Sequence, residues 1–198
     1  MKALVVCKHP NDSKDKKACH LIKLKGFETI YAWKNTLSKK DLKDIDLVIS
    51  LGGDGTALSA SHYLTSAPLL AVNDSPETSV GALTTLSLKD LPKKLEQIQE
   101  NKYKTEKLER IEVKINNKTL QQIALNDIFI GNQKPYMMTK YTISYKNKKE
   151  LQYSSGLIFS TGIGSTAWFN SAGGLPFSPQ AKHIKMITRE PYKGKVDQ

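Results

Sequence analysis

"VISLGGDGTALSA", residues 48–60, joins an apolar run to a glycine-rich turn that holds a single carboxylate, Asp54. Residues 47–51 form a short and almost wholly apolar run, which predicts a β-strand covered on both faces. The glycines within residues 52–55 permit backbone conformations and close approaches that other residues do not. The pattern from Thr56 onward predicts a helix. A strand, a glycine turn and a helix N-terminus together favour an anion such as phosphate.

Asp54 is the unexpected residue of this turn, because a site that attracts anions should repel a carboxylate. Two roles in phosphoryl transfer would explain it. The carboxylate could lie close to a divalent cation, or it could take a proton from an attacking hydroxyl. A purely structural alternative is that Asp54 caps the helix that follows, as aspartates commonly do. The turn by itself leaves these interpretations open.

The composition of the 198 residues is that of a globular protein, with 39% hydrophobic and 25% charged residues. No apolar run is long enough to span a membrane, and a strand-like stretch begins at residue 3, so we predict a cytoplasmic protein with no membrane partner. Cys7 and Cys19 lie in apolar strand-like and helix-like settings, which favours buried thiols over a disulfide. The cysteines and the four scattered histidines lack metal-ligand spacing, so we predict no metal site built from protein side chains.

The formal net charge of +11 raises the question of an anionic partner. Arginine occurs only at Arg110 and Arg189, whereas nucleic-acid recognition relies on the guanidinium group. The lysines are spread over turns and polar helix faces. This pattern favours a solvated lysine-rich surface, and we predict no nucleic-acid partner.

The first half of the chain alternates strand-like and helix-like segments, which predicts a parallel, doubly wound sheet in an α/β domain over residues 1–102. Ligands of such sheets bind at the carboxyl ends of the strands, where Asp54 and Asn73 fall. The expected strands are residues 3–7, 28–33, 47–51 and 68–73, and the expected helices are residues 12–25, 38–44, a segment ending near 65, and 87–102.

Residues 103–198 change character and predict a second, β-rich and sandwich-like domain, with a ligand cleft between the two. Strand-like runs are joined there by Asn-Asn-Lys and Asn-Lys turns. This half also carries a second glycine-rich loop, "SSGLIFSTGIGSTAWFNSAGG" at residues 154–174, in which a strand at 157–160 leads through glycines to a helical stretch at 167–172. The loop could serve a second phosphorylated group or only close packing of a helix on a sheet.

Four stretches in this order resemble the motifs of the NAD kinase family: "GGDGT" at 52–56, "VNDSPETSVGALT" at 72–84, "ALNDIFIG" at 124–131 and the loop at 154–174. The Asn-x-x-Pro-Glu-x-Ser, Ser-Ser-Gly and Ala-Trp sequences are more similar to the mitochondrial-type branch than to the common bacterial one. The resemblance implies transfer of the terminal phosphate of ATP, with Mg²⁺, to the 2′-hydroxyl of the adenosine ribose of NAD, giving NADP.

The same resemblance implies roles for individual residues. Asp54 would be the general base or a carboxylate close to the metal. The phosphate turn would consist of Gly52, Gly53, Gly55 and Thr56. Asn73 would line the cleft, while Asn126 and Asp127 would hold ribose hydroxyls and adenine. The remaining dinucleotide-binding residues would be Ser155, Thr166, Ala167, Trp168 and Ser171.

The chain also departs from the family pattern at three points. Asp127 stands where the family usually has glutamate, and Ser155 stands where the common branch has aspartate. Family members generally continue well past the second glycine-rich loop, whereas this chain ends at Gln198. From uncovered strand edges we predict a homo-oligomer, and from the short second domain we predict reduced or absent turnover.

Several alternatives remain open at the level of sequence. A non-catalytic nucleotide-binding or regulatory protein derived from the family would share every motif. A lipid kinase of the diacylglycerol type would share the GGDGT stretch, although the Asn-Asp motif at residue 126 and the motif from residue 160 argue against it. The donor could be ATP or inorganic polyphosphate, and the acceptor could be NAD or NADH.

Overall fold

The computed structural model describes residues 1–9, 13–77, 81–134 and 136–192. The chain divides into two compact units. The N-terminal unit comprises Met1–Glu106 and Lys114–Ile123, and the C-terminal unit comprises Lys107–Val113 and the residues from Ala124 onward. The domain boundary between residues 102 and 103 stays a prediction.

The N-terminal unit is built on a parallel sheet, and its described residues contribute five strands in the order β2-β1-β3-β4-β5. This arrangement confirms the predicted doubly wound α/β fold. The strands are β1 (Lys2–Cys7), β2 (Glu28–Trp33), β3 (Leu47–Leu51), β4 (Leu69–Asn73) and β5 (Leu86–Ser87). The helices are α1 (Ser13–Leu24), α2 (Asp54–Ser61) and α3 (Leu91–Gln99), with a 3₁₀ turn at Lys39–Leu42.

Both faces of this sheet are covered, which explains why its central strands are apolar without alternation. In β1, Val5 belongs to a buried cluster that includes residues of α1 and α3. Its neighbour Val6 belongs to a second cluster with Ala60 of α2 and with Leu64. All five residues of β3 are buried. Burial of the inner strands stabilises the sheet. The polar turns lie at the ends of these strands.

One helix begins later than the sequence predicts. Residues 86–87 pair with β4 as the short strand β5, so α3 begins at Leu91 and not at Ser87. The Ser87 hydroxyl donates to Asp90 Oδ2 at 2.7 Å and accepts the N–H of Asp90 at 3.4 Å, and these bonds stabilise the turn before the helix. A proline lies in the first turn of α3, where its missing N–H costs nothing. Residue 12, in the predicted first helix, lies outside the described residues.

The C-terminal unit contains an antiparallel sheet, which confirms a β-rich second part. Its long central strand β10 pairs with β8, β9 and β11. Residues 114–119, which belong to the N-terminal unit, form a separate hairpin of β6 (Lys114–Ile115) and β7 (Lys118–Thr119). The hairpin turns at Asn116 and Asn117, whose φ angles of 48° and 64° suit the predicted asparagine turn. The strands of the C-terminal unit are β8 (Asp127–Ile130), β9 (Thr139–Tyr145), β10 (Lys148–Ser160) and β11 (Lys185–Pro191).

A 3₁₀ turn at Gly164–Thr166 and a short helix, α4 (Trp168–Ser171), follow β10, as the second glycine-rich loop predicts. Among the helices of the described ranges, none combines the length and the apolar character needed to cross a membrane.

Candidate functional site

The first predicted turn has the strand–glycine–helix geometry that its sequence indicates. Gly52 has a φ of +144°, and a Cβ there would lie 2.4 Å from Thr56 Oγ1, so this position requires glycine. Its N–H donates to the carbonyl of Val72, which joins the turn to β4. Gly53 is the N-cap of α2, and its carbonyl accepts the N–H of Thr56 at 2.9 Å. The turn is therefore held at the carboxyl end of the sheet.

Asp54 does not cap the helix that it begins, so the capping interpretation is wrong. Its carboxylate accepts hydrogen bonds from a loop about thirty residues further along the chain. Oδ1 accepts the N–H of Leu83 at 2.9 Å, the N–H of Thr84 at 3.1 Å and the Thr84 hydroxyl at 2.9 Å. Oδ2 accepts only the N–H of Ala82, at 2.9 Å, among the described residues. The carboxylate is thus fixed in orientation, and its Oδ2 oxygen can accept a further hydrogen bond.

The loop at residues 81–84 is part of the site, although the sequence analysis gave none of its residues a role. Thr84 is 2% exposed, so its hydroxyl is committed to Asp54. Gly81 has a φ of +68°, and a Cβ there would lie 3.1 Å from Asn73 Nδ2. The signal in the sequence is a glycine and a threonine three residues apart, after the strand that ends at Asn73. Residues 78–80 of the same motif lie outside the described residues.

Asn73 supports this arrangement from the end of β4. Its side chain is buried at 5% exposure, and Oδ1 accepts the N–H of Ser75 at 3.0 Å. Asn73 therefore shapes the turn after β4 next to Gly81. Its predicted direct contact with a ligand stays a prediction.

Lys8 is a second residue that sequence reasoning missed. It directly follows β1, and its Cβ lies 3.3 Å from the position that a Cβ on Gly52 would take. Lys8 is exposed, so its ammonium group can reach solvent beside the phosphate turn. A cation at the end of the strand next to β3 could have been found from the strand order expected for the fold.

Asn126 and Asp127 lie together at the start of β8 in the C-terminal unit. Each has a buried Oδ1 without a hydrogen-bond partner among the described residues. The glycine-rich loop packs directly on them, since a Cβ on Gly164 would lie 2.5 Å from the backbone of Asn126. The carbonyl of Asn126 accepts the N–H of Thr161 at 3.0 Å. Buried acceptors without partners are costly in a fold and are available to a ligand.

Burial raises the pKa of Asp127 above its ordinary value, and hydrogen bonds from Ser160 and from the backbone N–H of Trp168 oppose this rise. The bond from Trp168 brings the predicted wall of the dinucleotide site beside Asp127. Thr166, Trp168 and Ser171 are exposed and Ala167 is partly exposed, so this wall faces solvent. The structure thus brings Asn126 and Asp127 together with the four wall residues.

The Trp168 ring has two neighbours that orient it. Phe129 lies 5.1 Å away between ring centroids, and the Arg189 guanidinium lies 5.8 Å from its centroid. The ring is nevertheless 42% exposed. An exposed indole held on two sides offers a flat surface for a ring of a ligand.

Ser155 has a carboxylate partner that the sequence did not indicate. Its hydroxyl donates to Glu190 Oε2 at 2.5 Å, and Arg189 Nη2 lies 3.2 Å from Glu190 Oε1. The hydrogen bond from Ser155 and the charge of Arg189 lower the pKa of Glu190. A carboxylate therefore stands beside the position where the common branch of the family has aspartate. The pairing of β10 with β11 produces it across thirty-five residues, so no local signal could have shown it.

Comparisons with known proteins show the family of the chain. The model of the ATP-NAD kinase N-terminal domain matches residues 5–103, half of the chain. The chain belongs to the NAD kinase family. A probable NADH kinase of Oryza sativa is 32% identical over 193 residues, covering 86% of this chain and 59% of that protein. An NAD kinase of Campylobacter lari is 32% identical over 155 residues, covering 76% of this chain and 55% of that protein.

A solved structure supports the fold over the whole chain. The crystal structure of an NAD kinase from Archaeoglobus fulgidus in complex with ATP is 27% identical, with a TM-score of 0.76, and covers all of this chain and 75% of that one. The chain spans less than two thirds of the length of the two curated relatives.

Proposed function

We propose that this NAD kinase family member transfers the terminal phosphate of ATP to the 2′-hydroxyl of the adenosine ribose of NAD or NADH. The observation that carries the proposal is the fixed carboxylate of Asp54 beside the GGDGT turn. Phosphoryl transfer needs positioning and charge neutralisation more than covalent chemistry from the protein. A carboxylate held at a phosphate turn meets that need.

Asp54 acts as the general base in this proposal. The three donors on Oδ1 hold the carboxylate, while Oδ2, with one donor, accepts the proton of the ribose hydroxyl. The ribose oxygen forms a bond to the terminal phosphorus, and the bond from that phosphorus to the bridging oxygen breaks to release ADP. The turn formed by Gly52, Gly53, Gly55 and Thr56 receives the phosphates. The amides of Gly52 and Thr56 hold the turn through Val72 and Gly53, and the space beside Gly55, where a Cβ would meet nothing within 4 Å, leaves room for a phosphate.

Mg²⁺ enters this proposal as a companion of ATP. No group of three or more His, Cys, Asp or Glu side chains able to hold a metal is present in the described ranges. Mg²⁺ usually binds through substrate phosphates together with one or two carboxylates. Asp54 Oδ2 cannot ligate the ion while it accepts the ribose proton, so the ATP phosphates would carry the ion in this proposal. The ion neutralises charge on the transferred phosphate when it is bound. The hydrogen bonds that orient the Asp54 carboxylate come from residues of this chain and do not depend on the ion.

The C-terminal unit supplies the dinucleotide contacts in the proposal. The Oδ1 atoms of Asn126 and Asp127, which have no hydrogen-bond partner within the described part of the chain, accept hydrogen bonds from ribose hydroxyls and from an adenine amino group. Trp168 offers its exposed face to a base, with Thr166, Ala167 and Ser171 beside it. Ser155 and Glu190 supply polar groups for the second half of the dinucleotide.

We also propose that the protein works in the cytoplasm as a homo-oligomer. Large apolar side chains are exposed on the C-terminal unit, among them Ile130, Leu175 and Met186. A second copy could cover such side chains, and oligomers most often use copies of the same chain.

Turnover distinguishes this proposal from a non-catalytic nucleotide-binding protein. The purified chain is incubated with ATP, Mg²⁺ and either NAD or NADH, and NADP or NADPH is measured with an NADP-specific dehydrogenase. Inorganic polyphosphate replaces ATP in a parallel reaction. We expect product from ATP. Binding of both nucleotides without product would support the non-catalytic alternative.

A further inference from the structure

The strongest feature outside the proposed site is a cavity of about 490 Å³ in the N-terminal unit. It is lined by residues of α1 and β2 and by the end of β1. Both cysteines of the chain, Cys7 and Cys19, line it, as does the carboxylate-bearing Asp15. Phosphate transfer uses neither thiol. The cavity therefore gives a small molecule a path to two thiols that have no assigned role.

The two thiols differ in exposure. Cys7 is the last residue of β1 and is 7% exposed, while Cys19 lies on α1 and is partly exposed. Both belong to the same buried cluster, Cys7 as a member and Cys19 packed against it. Cys19 is therefore the more accessible of the two thiols to a solute in the cavity.

The pKa values of the two thiols also differ, and the more exposed thiol has the lower pKa. Interaction with the neighbouring Cys7 thiol lowers the pKa of Cys19, against the burial of Cys19 and the charge of Asp15. Interaction with Cys19, together with burial and the charge of Asp15, raises the pKa of Cys7. Lys16 and Lys23 also line the cavity and bring positive charge to it. The thiolate is the reactive form and Cys19 is the more exposed thiol, so Cys19 is the attacking member of the pair.

We propose that Cys7 and Cys19 form an oxidisable dithiol, which a small peroxide entering the cavity converts to an intramolecular disulfide. The Cys19 thiolate attacks one peroxide oxygen, the O–O bond breaks, and the departing hydroxide takes a proton to leave as water. Cys7 sulfur then attacks the sulfur of the Cys19 sulfenic acid. The S–O bond breaks, and the hydroxide takes the Cys7 proton and leaves as a second water. The two thiols lose two electrons, which the peroxide gains.

Such a bond would join α1 to the end of β1. Cys7 immediately precedes Lys8, whose Cβ approaches the phosphate turn at Gly52. The disulfide would therefore anchor the backbone next to the phosphate turn. This proposal does not depend on the proposed kinase activity.

The test is mass spectrometry of the full chain after treatment with hydrogen peroxide. Because the chain has two cysteines, an intramolecular disulfide lowers the intact mass by about 2 Da and abolishes both titratable thiols. Reduction by a dithiol reagent should restore both. Digestion should yield one cross-linked peptide pair containing Cys7 and Cys19.

Single substitutions test the order of attack. With Cys7→Ser, Cys19 should stop at the sulfenic acid and be trapped by dimedone. With Cys19→Ser, Cys7 should remain a thiol at the same peroxide concentration. Circular dichroism of both variants checks their fold, and the wild-type mass measurement stands without them. A covalent dimer, a gain of oxygen without cross-linking in the wild type, or two unreacted thiols under conditions that oxidise glutathione would each overturn the proposal.

Discussion

The carboxylate of Asp54 takes its orientation from three backbone amides and one hydroxyl, and only the hydroxyl can be removed by substitution. Thr84→Val keeps the shape of the buried side chain and removes the donor to Oδ1. We expect kcat for NADP formation to fall by about tenfold, the scale of one hydrogen bond to a charged group. Steady-state kinetics at saturating ATP and NAD measures this.

The matched control for that variant is Thr85→Val, because Thr85 is adjacent and exposed. Its kcat should match that of the wild type. If Thr84→Val lowered only the melting temperature and kept its specific kcat, the contact with Asp54 would be structural.

Substitution of Asn126 should weaken the binding of NAD much more than the binding of ATP. Asn126→Ala removes a buried amide oxygen that has no partner within the described part of the chain. We expect the Kd for NAD to rise by about tenfold or more, with little change for ATP, since one lost hydrogen bond to a ligand has this scale. Isothermal titration calorimetry with each nucleotide measures both values. The exposed Gln133→Ala serves as the control. Equal losses for ATP and NAD would show that the role of Asn126 is misassigned.

Asp127 gives a prediction that depends on pH. Burial raises its pKa in the folded protein, so the charged form costs stability at neutral pH. Asp127→Asn should therefore raise the melting temperature at pH 7. This advantage should shrink as the pH falls through the raised pKa of the folded state towards the ordinary value for aspartate.

Thermal unfolding of wild type and Asp127→Asn across this pH range tests that prediction, and NAD binding should weaken in the same variant. When a residue lowers the stability of the fold but binds a ligand, its substitution should both raise the melting temperature and weaken binding. An advantage that grew on acidification would contradict the account.

At the scale of elements, replacing either of two glycines of the phosphate turn by alanine should have opposite effects on the stability of the fold. Gly55 lies in α2, and a Cβ there meets nothing within 4 Å, so Gly55→Ala should stabilise the fold by about 0.5–1 kcal/mol. Gly52→Ala should cost about 1–3 kcal/mol, because the new Cβ would press on Thr56. Urea unfolding of the two variants measures the difference.

The Gly55→Ala variant should also differ from the wild type in its affinity for ATP. The added methyl group of Gly55→Ala occupies the space assigned to phosphates, so we expect weaker ATP binding in a more stable protein. Unchanged ATP affinity in Gly55→Ala would place the phosphates elsewhere.

The strands and the phosphate turn could be predicted from sequence because their signals are local. The apolar run at residues 47–51 and the glycines after it lie within nine adjacent positions, 47–55. The pairing of Asp54 with Thr84, and of Ser155 with Glu190, could not be predicted in this way. Each joins residues thirty or more positions apart and depends on the order of strands. For the same reason the pairing of residues 86–87 with β4 displaced the predicted start of α3.

At the scale of the whole molecule, the proposed homo-oligomer has a direct test. We expect light scattering at working concentrations to give a mass of at least twice the 22.1 kDa of one chain. The exposed apolar side chains of the C-terminal unit are the physical reason. A single species with the mass of one chain would contradict this proposal and leave the assignment of Asp54 intact.

The central claim is that this chain phosphorylates the dinucleotide with Asp54 as the base. The most direct test compares the rate of NADP formation from ATP and NAD by the wild type and by Asp54→Asn, with ATP and NAD affinities measured for both. The amide keeps one oxygen for the donors of residues 83–84 and loses the proton acceptor. We predict retained binding and a loss of about a hundredfold or more in kcat, the scale of general-base removal. A wild type that turns over and an Asp54→Asn variant with the same kcat would contradict the claim.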